Sequence, residues 1–312
     1  MAVRLVADLG GTHIRFALAD SFGKLDAIRR IECRHYPGII EATADYLDNL
    51  GVDAPRDACL AIAAVETDER ITMTNNSWRF SRQELKAHFG FQQLQLINDF
   101  AAIALSLPRL DNSQVQYLTT SVQADPENAL AIGPGTGLGG ARLLAGRHVI
   151  ACEPGQAGLC PASPVEREIF AALQSEHAEL VSESLLSGPG LERLHQTLAR
   201  IRGEQAPSLP AAAISAAAMT GSDSLCQEAL DIFCALLGSA AGDFTVCSGA
   251  YGGVYLAGGI VGQILPFLEQ SDFLERFVNK GAMESRLSQI PVLVILDPNP
   301  GLLGAAAWPM GS

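Results

Sequence analysis

Three kinds of residue cluster in this chain could do chemistry, and glycine carries two of them. In Asp8-Leu9-Gly10-Gly11-Thr12, two glycines let the backbone turn tightly and approach a ligand with no Cβ in the way. Exposed N–H groups in such a turn cradle an anion, Thr12 adds a hydroxyl, and Asp8 is suited to orienting Mg²⁺ or its waters. The plainer reading is an ordinary hairpin turn. Gly133-Pro134-Gly135-Thr136-Gly137-Leu138-Gly139-Gly140 has more glycine than a plain turn needs and reads as a phosphate loop. Gly135, Gly137 and Gly140 also fit a dinucleotide fingerprint, but that motif needs a helix next, and 141–150 reads as a hairpin. Gly252-Gly253 and Gly258-Gly259 flank an apolar run, either to let an adenine lie on the backbone or to pack a strand–helix turn.

The third kind is a carboxylate beside an amide. Asn98-Asp99 falls where the apolar run from Leu94 meets the helical pattern from Phe100. Ligands gather at such strand ends in open α/β sheets, and a carboxylate there can take the proton of a substrate hydroxyl during phosphoryl transfer. The competing role is a helix N-cap, for which Asn and Asp are both preferred. The six histidines are scattered without metal-ligand spacing. The seven cysteines are widely spaced with no CxxC, which suggests buried free thiols in a reducing compartment.

The elements that must position these residues follow from patterning. Alternation at Val3, Leu5, Ala7 and again at Ile14, Phe16, Leu18 predicts a hairpin around Gly10-Gly11, with a third strand over 25–34. Helices are predicted over 38–50, from 82, 164–178, 189–201, 210–219, 224–248 and 301–307; buried strands over 58–65, 94–99, 129–133 and 292–296. Ser81 with Glu84, and Ser163 with Pro164 and Glu166, are helix-start signals. The polar stretch 108–127 is the expected domain boundary, and a strand–glycine loop–strand occurs once in each half. With 48% hydrophobic residues and a formal net charge of −13, the 312-residue chain supports one large or two medium cores and is a poor partner for nucleic acid or anionic lipid. The start carries no signal-peptide pattern and no apolar stretch is read as a membrane span, so the expected location is cytoplasmic.

Taken in order, Asp8-Leu-Gly-Gly-Thr12, Met73-Thr74-Asn75, Leu96-Ile97-Asn98-Asp99-Phe100, Gly133–Gly139, Leu186-Ser-Gly-Pro-Gly-Leu191, Gly252–Ile260 and Asn299-Pro-Gly-Leu-Leu-Gly304 resemble the bacterial glucokinase family over essentially the whole chain. The resemblance implies an α/β protein with two ribonuclease-H-like domains of the actin/hexokinase fold around a central cleft. The small domain is 1–109, completed by a C-terminal helix at 299–312, and the large domain is 110–298. It implies an ATP-dependent glucokinase that moves the γ-phosphate to the sugar 6-hydroxyl with Asp99 as base. ATP would lie on Ala7, Asp8, Leu9, Gly10, Gly11, Thr12, Gly135, Thr136, Gly137, Gly258 and Gly259, with the adenosine along 252–259. Mg²⁺ would be held through ATP, with no direct protein ligand and Asp8 acting through water. The sugar would meet Asn98, Asp99, Gln156, Leu159 and Glu183, and the partner would be a second copy of the chain in a homodimer. The sequence departs from the family where Gln156 and Leu159 replace a sugar-binding Glu and His, and where Val65 and Asp68 replace a Pro and a Gly. A non-catalytic or altered-specificity sugar-binding relative is therefore the second reading, and a dinucleotide oxidoreductase the third.

Overall fold

The computed structural model describes residues 3–67, 70–73, 78–119, 123–175 and 179–310, with backbone alone at 64–67. Asp68, Thr74, Asn75 and His177, and the side chain of Val65, lie outside the described residues. The chain divides into two compact units, 1–110 with 297–312, and 111–296.

In the first unit, β1 (Arg4–Leu9) and β2 (His13–Ala19) make the expected antiparallel hairpin, and β3 (Leu25–Glu32) extends it. β4 (Asp57–Ile62) joins β1 in parallel. The chain then leaves this sheet at Ala63, so the apolar run 58–65 is two strands rather than one. An apolar run specifies burial but not which sheet receives it. β5 (Ala64–Thr67), β6 (Arg70–Met73) and β7 (Arg79–Ser81) form a separate small sheet. β8 (Gln93–Asn98) returns to pair in parallel with β4, giving the order β3-β2-β1-β4-β8. Helix Ile39–Leu50 covers one face of this sheet, and helices Asp99–Ser106 and Pro300–Ala307 the other. The central strand β1 is therefore buried on both faces, which is why Leu5, Val6 and Ala7 run on without a polar break.

In the second unit, β9 (Val115–Tyr117), β10 (Leu130–Pro134), β11 (Leu138–Leu144), β12 (His148–Cys152), β13 (Val254–Leu256) and β14 (Val292–Ile295) form one sheet ordered β12-β11-β10-β13-β14-β9. Its first five strands in that order have the same succession of senses as the first unit's sheet: two antiparallel pairings, then two parallel ones. Helix Ser224–Ser248 is long and apolar enough by length and composition to cross a membrane, although Glu228, Asp231, Gly238 and Asp243 interrupt its apolar run as the sequence reading expects. Most of it is buried, and Leu230, Phe233, Leu236 and Leu237 sit in the core of this unit.

All seven cysteines are free thiols. Cys33, Cys59, Cys226 and Cys234 are buried as expected, whereas Cys160 and Cys247 are exposed and Cys152 is intermediate.

Helix Pro164–Gln174 starts with the expected capping box between Ser163 and Glu166. The Glu166 side chain, 2% exposed, also accepts from Ala162 N (2.6 Å) and from Arg276 Nη1 (2.6 Å) and Nη2 (3.2 Å). Burial alone would raise its pKa, but Arg276 and the backbone donors outweigh burial and hold it below the usual 4.5. Replacing Glu166 with Ala leaves the part-buried Arg276 with Ser239 Oγ in place of its carboxylate, which costs about 1–3 kcal/mol. Urea unfolding at pH 7 is expected to show that loss. Because the folded-state pKa is depressed, the deficit relative to the parent is full above pH 4.5 and narrows as acid protonates the parent's carboxylate. A deficit independent of pH would contradict this.

Candidate active site

Strand register aligns the candidate residues of the first unit. Leu9 on β1 pairs with Ile62 on β4, and Ile62 pairs with Asn98 on β8. The Gly10–Thr12 turn and the Asn98-Asp99 pair therefore leave the same end of the sheet, two strands or roughly 10 Å apart. The hairpin closes with Gly10 N donating to His13 O at 3.0 Å, and Thr12 is exposed. Ala7 and Leu9 are fully buried in the core, so only their backbones can serve a ligand. Asp8 points to the opposite face. Arg15, its cross-strand partner, donates to Asp8 Oδ2 at 3.3 Å. Burial raises the Asp8 pKa above its usual value, against the pull of Arg15.

The competing roles of Asn98 and Asp99 resolve between the two residues. Asn98 is the N-cap of helix Asp99–Ser106, its Oδ1 accepting from Ala101 N at 2.9 Å. Asp99 is the first helical residue; its partly exposed carboxylate accepts from Phe100 N through Oδ1 at 2.8 Å. Both side chains thus accept from N–H groups of the helix's first turn, Asn98 as the cap and Asp99 one residue on, at the end of β8.

In the second unit, residues 135–137 connect β10 to β11, with Thr136 exposed and open space at Gly135 where a Cβ would point. A strand follows the glycines, which removes the dinucleotide reading. Gly258 (φ +97°) lies against this hairpin: a Cβ there would be 2.4 Å from Pro134 O, and a Cβ on Gly133 would be 1.8 Å from Ala257 O. Gly258 and Gly259 therefore neighbour the glycine loop. Gly252 does not share that position. It precedes β13, at the other end of the strand, and its missing Cβ admits Asp125 O and Asn128 O, so its role is packing. The expected stretch 252–259 is thus split by β13.

Glu183 sits in a short turn, Ser182–Ser184. Its Oε1 accepts from Gln156 Nε2 at 2.6 Å. Its Oε2 would be 2.6 Å from a Cβ on Gly137 and 2.7 Å from one on Gly155, so the carboxylate occupies space that two missing side chains leave. The turn is braced by Ser182 N and Oγ donating to Ala157 O and by Ser187 Oγ donating to Glu183 O at 2.8 Å. Helix Gly188–Arg202 ties to the loop through Gly188 N donating to Gly135 O at 2.8 Å. Leu159 is not part of this polar cluster. Its side chain packs against the hydrophobic core of the unit, which explains an apolar residue on an otherwise polar loop.

Arg15 and Gly155 were missed from sequence, and Ser187 and Gly188 were legible only as part of the motif 186–191, without a role. Arg15 was within reach, since the hairpin register sets it across from Asp8; the others depend on contacts between distant segments. Among the described residues no group of three or more His, Cys, Asp or Glu side chains could hold a metal ion.

Comparison with known proteins gives the family. The family model described as Glucokinase matches residues 5–311. The glucokinase of Aromatoleum aromaticum is 41% identical over 97% of this chain and 93% of its own length. That of Saccharophagus degradans is 38% identical over 97% of both. The crystal structure of a glucokinase from an Antarctic psychrotroph superposes with a TM-score of 0.85 at 37% identity, covering 98% of each chain. The fold is therefore that of the mixed α/β sugar kinases. Within that class, the chain belongs to the glucokinase family.

The Gln156–Glu183 bond makes a specific prediction. Gln156→Glu would set a second carboxylate 2.6 Å from Glu183 with no proton to share at neutral pH. One member of the pair then has a raised folded-state pKa, so its proton stabilises the fold and that stabilisation is lost as pH rises. The ligand-free variant is expected to melt below the parent at pH 8 and to approach it near pH 5. An equal deficit at both pH values would show that the two side chains do not interact.

Proposed function

We propose that this chain is an ATP-dependent glucokinase that uses Asp99 as its base. The observation that carries the reading is the register of β1, β4 and β8, which brings the Asn98-Asp99 pair to the same sheet end as the Gly10–Thr12 turn. As the 6-hydroxyl oxygen attacks the γ-phosphorus, Asp99 takes the hydroxyl proton and the bond from phosphorus to the β–γ bridging oxygen breaks, leaving ADP. The glycine turns 10–12 and 135–137 are suited to donating N–H groups to the phosphates, with Thr12 and Thr136 adding hydroxyls. Gly258 and Gly259 leave the backbone bare for the nucleoside, and Ala7 and Leu9 contribute only main-chain atoms. Asn98, Asp99, Gln156 and Glu183 are the proposed sugar ligands. Leu159 supports their loop from the core side.

A single carboxylate, Asp8, suits a Mg²⁺ ion that keeps its waters and takes its remaining ligands from phosphate oxygens. When bound, Mg²⁺ neutralises phosphate charge. Asp8 would hold one of its waters, and Arg15 would hold Asp8.

The shared strand order of the two units supports reading each as a ribonuclease-H-like domain, 1–109 with 299–312 and 110–298. Free thiols and the charge of −13 support a cytoplasmic enzyme that avoids nucleic acid and anionic membrane. A homodimer rests on the family resemblance alone. The second reading, a sugar-binding protein without turnover, draws on Gln156 and Leu159 replacing polar residues of the family.

A panel of hexoses assayed with ATP and Mg²⁺ separates the two, with Asp99→Asn as the diagnostic variant. The amide keeps the shape but cannot take a proton, so kcat is expected to fall ~10²–10⁴-fold while ATP affinity by calorimetry is unchanged. A variant that keeps more than half the parent kcat would reduce Asp99 to a helix residue.

A further inference from the structure

The motif Asn299-Pro300-Gly301-Leu302-Leu303-Gly304 has no role in the chemistry derived above, yet it touches it. Helix Pro300–Ala307 lies along β1 in the opposite direction. At its C-terminal end, Arg4 Nη1 donates to Ala306 O (3.1 Å) and Trp308 O (2.8 Å). At its first turn, the position a Gly301 Cβ would take is 2.8 Å from Asp8 Cγ and within 3.1 Å of both carboxylate oxygens. Arg4 and Asp8 are four apart on one strand and therefore face the same side. A cation meets the negative end of the helix and a carboxylate the positive end, the arrangement its dipole favours. Further along, Gly304 meets the backbone of Ala102, with a Cβ placed 1.7 Å from Ala102 O, on the helix that begins at Asp99.

We propose that the C-terminal helix is a positioning element for phosphoryl transfer, with Gly301 the positioning residue that sets where the Asp8 carboxylate lies. Asp8 is held from two sides, by Arg15 across the hairpin and by the bare face of Gly301. The same helix locks against the Asp99 helix at Gly304, so one rigid body references both carboxylates. A methyl group at 301 has to displace the Asp8 side chain, because the atoms it would meet are the carboxyl group itself. A shift of about 1 Å in a group that orients the reacting phosphate can cost ~10²-fold in rate. The inference rests on the proposed assignment of Asp8 to the nucleotide and its metal.

The test is a double-mutant cycle on the full chain: parent, Gly301→Ala, Asp8→Ala and the pair, each measured for Tm without ligands and for kcat and glucose KM with ATP and Mg²⁺. In the parent background Gly301→Ala is expected to lower Tm and to reduce kcat 10- to 100-fold, with glucose KM within twofold. In the Asp8→Ala background, where the crowded carboxyl is gone, the same methyl is expected to change neither Tm nor the residual kcat. If Gly301→Ala alone fails to fold and the pair folds, the inference stands. Equal Tm losses in both backgrounds, failure of both to fold, or parent-like kcat for Gly301→Ala would overturn it. Parent-like kcat for Asp8→Ala would instead sink the assignment of Asp8 to the nucleotide. The ligand-free Tm cycle would still report whether Gly301 positions that side chain.

Discussion

The candidate residues of the second unit depend on one close approach, the Glu183 carboxylate resting where the side chains of Gly137 and Gly155 would be. Gly137 belongs to the glycine loop and Gly155 to the segment that carries Gln156. A single acidic side chain therefore touches the proposed phosphate loop and the proposed sugar-binding loop together. Gln156 holds it by hydrogen bond, Ser187 holds its carbonyl, and Gly188 ties the following helix to Gly135. Glycine at 137 leaves room for the tip of a flexible side chain, which can move, whereas at 155 it also leaves room for the backbone carbonyl of Leu138, which cannot.

The first unit solves its positioning by register instead. Parallel pairing of β1, β4 and β8 brings Leu9, Ile62 and Asn98 to one sheet end, so a glycine turn and a carboxylate far apart in sequence emerge side by side. Asn98 takes the helix cap, and Asp99 follows it as the first helical residue with its carboxylate on Phe100 N. Register fixes these strands, since a one-residue slip would turn the Asp8 carboxylate into the apolar cluster that Leu5, Ala7 and Leu9 fill.

Features encoded locally were legible in the sequence. The capping boxes at Ser81 and Ser163, the hairpin at Gly10-Gly11 and the full extent of helix Ser224–Ser248 all depend on residues within a few positions of each other. Asn98 and Asp99 were legible as a pair, but not which of them capped the helix, because both residue types cap well. The division of 58–65 at Ala63 was not legible, since apolar residues look alike whichever sheet they enter. Nor was the difference between Gly252 and Gly258: each admits a neighbouring carbonyl, but from segments that only the fold brings together. Leu159 looked like a damaged sugar contact and proved to be a core-facing side chain, because polarity of a loop says nothing of what lies beneath it.

The account stands most directly on the contact between Gly137 and Glu183. Calorimetry of glucose binding to Gly137→Ala, with no nucleotide present, tests it. The added methyl would fall 2.6 Å from Glu183 Oε2, and the flexible carboxylate rather than the backbone has to give way, so the variant should fold. The account predicts a parent-like melting temperature with glucose affinity weakened roughly 5–150-fold, the ~1–3 kcal/mol of a polar group left unpaired. Glucose affinity equal to the parent's in a folded variant would contradict it, because the glycine loop and the sugar site would then not meet at Glu183.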